Sequence, residues 1–150
     1  MQSRRQILSI AAFLGTVLTA PAQAWGAPAV ATDSAVYVER IASDASHRLE
    51  PASQLLRGDR VVTVVRWYAI GGERGFVIVN PLPAALAYQE SASDTQEVSV
   101  DGGRSWGCLE DLRIGNRRAA PEDVTHVRWR IPAASAARGR GQIAYSGIVR

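Results

Sequence analysis

Few residues in this sequence have side chains that could carry out catalysis. His47 and His126 are the only histidines and Cys108 is the only cysteine among 150 residues. A Ser-His-Asp set can be picked from any such chain, but we expect no nucleophile elbow of the Gly-x-Ser-x-Gly type, and no group of His, Cys and carboxylates has zinc-site spacing. We therefore predict no catalytic, cofactor-binding or metal residue and a protein that is not an enzyme. A small hydrolase that uses a histidine is the minor alternative.

Two further features concern a reactive thiol and a cation site. A single cysteine cannot form an internal disulfide, so Cys108 is either a buried apolar thiol or the partner in an intermolecular bond. We expect the buried thiol, because free cysteine is among the most buried residue types.

Calcium is a further alternative at four carboxylates near a predicted loop end, although they do not follow the EF-hand pattern. These carboxylates are Asp94, Asp101, Glu110 and Asp111.

The stretch from Ser99 to Trp106 predicts a stapled hairpin. Asp101-Gly102-Gly103 favours a turn, because Asp-Gly and Gly-Gly tolerate positive φ. The aspartate side chain can accept hydrogen bonds from N–H groups of the turn. We interpret this stretch as a structural turn, with a glycan contact at its loop as the alternative.

The whole stretch also resembles the Asp-box, Ser-x-Asp-x-Gly-x-Ser/Thr-Trp, which is found in sialidase propellers and other β-proteins. The resemblance implies a hairpin that lies away from any catalytic centre. The chain is too short for the several blades of a propeller. The Asp-box therefore does not predict a sialidase.

Residues 125–131 show strict alternation. Val127, Trp129 and Ile131 point to one side of the predicted strand, and His126, Arg128 and Arg130 point to the other. Two interpretations of the basic side remain open. It is either a solvated strand face or, together with Trp106, a contact surface for an anionic glycan.

The first 24 residues have the layout of a secretory signal peptide. Arg4 and Arg5 precede an apolar run, and Ala22-Gln23-Ala24 fits a small-residue cleavage site with Ala24 as its last residue. Residues 3–8 also resemble the twin-arginine export signal. An ordinary export signal is the alternative. The run is too short and too rich in small residues for a membrane span, so we expect a periplasmic or secreted protein without a membrane segment after cleavage.

The remaining chain fits one domain with its own core. We expect a flexible tether over residues 25–35 and a single domain over 36–150. Removal of Arg4 and Arg5 lowers the formal charge from +3 to +1, so the high pI does not indicate a nucleic-acid binder.

Seven to eight strands are predicted, and no long helix. Residues 60–68 are dense in β-branched and aromatic side chains on both faces, which predicts a central strand that is packed on both faces or nearly so. Its partner at 76–79 follows a Gly-containing connection and ends at Asn80-Pro81. Further strands are predicted at 36–41, 84–91, 97–100, 125–131 and 142–149, which makes seven; residues 54–56 and the return through Ser105 and Trp106 are short candidates beside them. Residues 121–123 could form one helical turn. This pattern predicts an all-β, antiparallel two-sheet sandwich.

In this order the segments resemble the conserved-repeat, Ig-like domain of bacterial surface and secreted proteins. The resemblance covers about residues 36–150 and implies an Ig-like sandwich that acts as a stalk, spacer or adhesive module. Two departures are the single copy and Tyr68-Ala69-Ile70-Gly71-Gly72 in place of an Asn-Thr-Gly-like turn. The matching stretches are Leu56-Arg57-Gly58-Asp59-Arg60-Val61-Val62, Val79-Asn80-Pro81-Leu82-Pro83-Ala84-Ala85-Leu86-Ala87-Tyr88, Ser99-Val100-Asp101-Gly102-Gly103 and Thr125-His126-Val127-Arg128-Trp129.

The functional expectation is an exported, non-enzymatic module that contacts an envelope protein, for which open sheet edges would offer strand addition. The alternative is a carbohydrate-binding module for an anionic envelope glycan. Arg57-Gly58-Asp59 spells the integrin-binding tripeptide, but we interpret it as a turn into the central strand.

Overall fold

The computed structural model describes residues 29–70, 74–93 and 95–150. Short 3₁₀ turns lie at Leu109–Asp111 and Pro121–Asp123, the second where one helical turn was predicted. None of the helices in these ranges is long and apolar enough to cross a membrane. The other elements are, in chain order, β1 (Ala29–Ile41), β2 (His47–Pro51), β3 (Arg60–Ile70), β4 (Phe76–Pro81), β5 (Leu86–Ser91), β6 (Gln96–Ser99), β7 (Arg113–Ile114), β8 (Arg117–Arg118), β9 (His126–Ile131), α1 (Ala133–Ala136) and β10 (Arg140–Val149).

Two antiparallel sheets of unequal width form the body of the fold. The wide sheet has the strand order β2-β1-β3-β10-β5, and the narrow sheet has the order β4-β9-β6. β7 and β8, which have two residues each, form a separate hairpin. Every strand pair is antiparallel, which confirms the prediction of an all-β, antiparallel fold.

β3 occupies the centre of the wide sheet, as its composition predicted. Val61, Thr63, Val65 and Trp67 are buried, whereas the residues between them are only partly buried. The core therefore covers one face of β3. The prediction of a strand packed on both faces is wrong, because no second layer covers the outer face within the described residues.

Aromatic side chains join the two sheets. Trp129 of β9 is fully buried, and its ring centroid lies 5.8 Å from that of Tyr145 in β10. Phe76 of β4 meets Trp67 of β3 edge to face at 5.2 Å. A side chain at Gly141 would overlap the Trp67 indole, so only glycine fits there. These contacts place β9 over β10 and β4 over β3.

Several predicted elements differ from the structure. Residues 29–35, expected in the tether, form the first half of β1 and pair with β3. Residues 54–56 are not a strand. β3 and β4 lie in different sheets, so they are not partners. The many small side chains of residues 132–141 predict a loop, but this stretch contains α1. The signal peptide, Ala24 and the Gly71-Gly72 connection lie outside the described residues.

Candidate functional site

The Asp101 carboxylate is the centre of the turn that follows β6. It accepts hydrogen bonds from the backbone N–H groups of Arg104 and Ser105, at 3.0 and 2.9 Å. It also accepts from the hydroxyls of Ser105 and Ser99, at 2.6 and 2.8 Å. These bonds, those from Ser105 above all, stabilise the charged form and hold the pKa of Asp101 far below its usual range.

Backbone geometry and Thr125 complete this turn. Gly102 and Gly103 have φ values of +77° and +88°, a region that L side chains rarely adopt. The Gly103 N–H donates to the Ser99 hydroxyl at 2.8 Å. The Gly102 N–H donates to the hydroxyl of Thr125, which itself donates to the Ser99 carbonyl; both distances are 3.1 Å. The structure thus places Asp101, Gly102 and Gly103 in a turn that is anchored to β9.

Trp106 packs against the turn and the outer face of the narrow sheet. Its indole N–H donates to the Gly103 carbonyl at 3.0 Å. The Arg128 guanidinium lies 4.4 Å from the ring centroid, in cation–π geometry. The His126 ring meets the indole edge to face at 6.4 Å. One face of the indole is therefore covered, and its only polar atom already has a partner.

Glu97 forms ion pairs with both arginines of β9. Its Oε2 atom accepts from Arg128 Nη2 and Nε at 2.6 and 2.9 Å, and from Arg130 Nε at 3.2 Å. Burial raises the pKa of Glu97, but the bonds and charges of the two arginines outweigh burial and leave it below its usual value. The Arg128 side chain is 16% exposed, against 61% for Arg130. Of the three expected glycan contacts, only Arg130 has a side chain that is mostly exposed.

One catalytic pattern was overlooked in the sequence. Gly103-Arg104-Ser105-Trp106-Gly107 reads Gly-x-Ser-x-Gly, the pattern of a nucleophile elbow. An elbow needs a strand-to-helix turn, but here Gly107 pairs back with Val98 of β6. The Ser105 hydroxyl donates to Asp101, whose low pKa makes it a weak base. The local geometry is that of a hairpin and not of a hydrolase elbow.

The two histidines lie on different sheets. His47 Nδ1 contacts Glu39 Oε1 at 2.8 Å on β1, and His126 Nδ1 contacts the Thr125 hydroxyl at 3.1 Å. No group of three or more His, Cys, Asp and Glu within the described ranges could hold a metal ion. Asp94, one of the four carboxylates of the calcium alternative, lies outside these ranges.

The Arg57-Gly58-Asp59 sequence forms a turn. Gly58 has a φ of +89°. Asp59 accepts from the Leu56 N–H at 2.8 Å and from Arg40 Nη1 at 2.6 Å. The aspartate that an integrin would need is therefore engaged within the chain.

Cys108 is exposed, so the prediction of a buried thiol is wrong. The residue follows the Val98–Gly107 bridge and immediately precedes the 3₁₀ turn at Leu109–Asp111. The chain therefore turns away from the narrow sheet at Cys108, and the side chain lies outside the core.

A second surface, missed in the sequence, lies where the wide sheet projects beyond the narrow one. Thr32, Ser34 and Val36 of β1 are exposed, Val36 at 41%. Directly paired residues share one face of a sheet, so these side chains lie on the core-facing side. We call these three residues the β1 ledge. Their partners in β3 are all buried: Thr63, Val65 and Trp67.

The neighbouring strand β4 ends the narrow sheet on the side of the ledge. Leu82, just after β4, donates its N–H to the Thr125 carbonyl beside β9. Backbone groups alternate in direction along a strand, so residues 76, 78 and 80 face β9. The N–H and C=O groups of Val77 and Val79 then point to the free side, and we call this row the β4 edge. Pro81 fits at the end of this row because no ladder bond is lost there.

No family model, curated protein or solved structure matches this chain. Its function is therefore argued from its own geometry.

Proposed function

We propose that this protein is an exported, non-enzymatic β-sandwich module that works by contacting other proteins in the bacterial envelope. Export is supported by the signal-peptide layout of the first 24 residues. Contact is supported above all by the β1 ledge. A core-facing strip of a sheet is normally covered by a second layer, but these three residues are exposed, and within the described ranges the neighbouring strand β4 pairs on one side only.

Composition of this surface also favours a protein partner. Val77 and Val79 are each 48% exposed on the outer side of β4, and the ledge adds Val36. Neither the β1 ledge nor the β4 edge carries a charged side chain. Neutral strips with exposed β-branched residues fit another polypeptide better than a sugar or an ion.

Anionic glycan binding is less well supported by the contacts of the residues that suggested it. Trp106 uses its N–H within the turn and lies under Arg128, which is ion-paired with Glu97. A sugar platform needs an open aromatic face and unpaired polar groups. Arg130 alone, itself in contact with Glu97, gives little basis for a specific site.

Site-specific photocrosslinking in the native envelope tests the proposal. A photoreactive amino acid is placed at Val36 in the ledge, and a matched variant carries it at Ile114, which is similarly exposed (37%) but lies on the β7 hairpin. We expect a discrete protein adduct from position 36 that position 114 does not give. Equal labelling from both positions, or recovery of polysaccharide alone, would contradict a protein-contact role for this surface.

A further inference from the structure

Resting on the proposed function, we propose that the β4 edge accepts one extended, uncharged segment of a partner protein as a fourth strand of the narrow sheet. In this position the added strand covers the β1 ledge. The mode is β-strand addition, in which main-chain hydrogen bonds supply affinity and alternate side chains supply specificity.

The backbone of β4 is prepared for such pairing. Val77 and Val79 direct four backbone groups to the free side, two donors and two acceptors, at the spacing of an antiparallel or parallel ladder. Sheet edges are usually protected by charges, bulges or a covering segment. β4 carries no charged residue, and its register with β9 shows no bulge over Phe76–Pro81. Pro81 blocks only the end of the row.

The side chains on both walls define the chemistry of the segment. Inward-pointing side chains of an added strand would meet Thr32, Ser34 and Val36 of the ledge. Outward-pointing ones would lie beside Val77 and Val79. Both rows are neutral, so a charged side chain placed against them would be partly desolvated without a partner. The fitting segment alternates small or β-branched side chains on both faces.

A second copy of this sandwich fits poorly at the same edge. The inter-sheet contacts place β4 over β3, so β1 and β2 project beyond it in the wide sheet. If the β4 strands of two copies paired, β3 of the partner would have to occupy the layer that β1 already fills. One extended strand occupies a single layer and meets no such obstacle.

Titration with a defined peptide tests the inference. The probe is a synthetic peptide of about nine residues with blocked ends, in which valine and threonine alternate between two terminal glutamates. It is long enough to pair with all six residues of β4. Hydrogen exchange by NMR on the full chain should show new protection at the amides of Val77 and Val79, with little change at Ile78, which faces β9.

Two controls isolate the backbone contribution. Val79→Pro removes one donor from the edge and should weaken binding by about tenfold or more, since a lost hydrogen bond leaves its partner unsatisfied. Val79→Thr keeps the N–H and the β-branched shape, and should bind within about threefold of wild type. A peptide with N-methyl groups at alternate residues should not bind, which keeps the test valid if Val79→Pro misfolds.

Three outcomes would overturn strand addition at this edge: no protection at Val77 and Val79, unweakened binding by a folded Val79→Pro variant, or a dimer that protects these amides without peptide. If the peptide fails but the photocrosslinker at Val36 still captures a protein, contact through the ledge stands and strand addition is excluded. If both fail, the proposed function is excluded as well.

Discussion

At Asp101 four donors converge on one half-buried carboxylate, and this convergence explains how the Asp-box-like stretch stabilises the turn. Two donors are backbone N–H groups that no ladder partner could satisfy within the turn. The other two are the hydroxyls of Ser99 and Ser105 on either side. The residue types of the box are therefore explained by turn closure, with no ligand required.

Replacement of Asp101 by alanine should lower the melting temperature at neutral pH. The melting temperature of this variant should also fall less between pH 7 and pH 3 than that of wild type. The folded-state pKa lies far below the unfolded value of about 4. Stability from this group is thus complete above about pH 4 and is lost as pH falls below it. Thermal unfolding at pH 7 and pH 3 measures the effect. Arg104→Ala is the control because only the backbone of Arg104 bonds to Asp101; similar losses in both variants would contradict the staple.

Cys108 should react with a thiol reagent in the folded protein. Because the residue is exposed, accessibility does not limit the reaction, and the rate should stay within about tenfold of that in denaturant. The release of one chromophore per chain from a disulfide reagent measures it. A thiol that reacts only after unfolding would contradict the exposed position.

Residue-scale prediction from sequence succeeded where the cause is local. The turn at Gly102-Gly103 follows from the φ preferences of glycine and from an aspartate two residues after a serine. The covering of the Trp106 indole by Arg128 could not be predicted from sequence. Arg128 lies 22 positions away along the chain and is brought to Trp106 by strand pairing.

At the level of elements, β4 is the strand whose two sides have opposite roles. Its even-numbered residues bond to β9 and its odd-numbered ones face the open side. Proline substitution can separate these roles, because proline removes one N–H donor and is tolerated at sheet edges.

Ile78→Pro should be far more destabilising than Val79→Pro. Ile78 loses a ladder bond to β9 and most of a buried side chain, for which about 2–5 kcal/mol is expected. Val79 loses no ladder bond and only half-exposed surface, so about 1–2 kcal/mol is expected. Chemical denaturation compares the two free energies of unfolding. Equal losses would mean that both N–H groups take part in the sheet.

The extents of β1 and β3 show where element prediction from sequence stops. β3 was located because its β-branched residues fill a buried face. The first half of β1 is missed from sequence, because Asp33 is a residue type depleted in strands and only Val30 and Thr32 of residues 29–35 are β-branched. It becomes a strand by pairing along the length of β3, and that partner is separated from it by β2 and a loop.

For the molecule as a whole, unequal sheet width is the property with the greatest functional consequence. The number of strands in each sheet depends on where the chain crosses between layers, and the crossing from β3 to β4 carries no distinct sequence signal. A hairpin and a crossover have similar turn residues, so the sequence predicts β3 as the partner of β4, whereas β4 pairs with β9. The β1 ledge and β4 edge both result from that crossover and could not be derived from periodicity.

Both sheets should unfold together, because Trp129 ties them at the centre. It is fully buried against Tyr145, and its indole N–H donates to Ser91 of β5 at 3.2 Å. Trp129→Ala removes these contacts and leaves a cavity, so a loss of about 3–5 kcal/mol is expected. Tyr68→Ala, at an exposed residue of β3, should change the free energy of unfolding by no more than about 0.5 kcal/mol.

Denaturant unfolding followed by far-ultraviolet circular dichroism and by tryptophan fluorescence gives both values. Coincident transitions in wild type and a large loss only in the Trp129 variant indicate one cooperative core. Two separate transitions would mean that the wide sheet holds its structure without the narrow one.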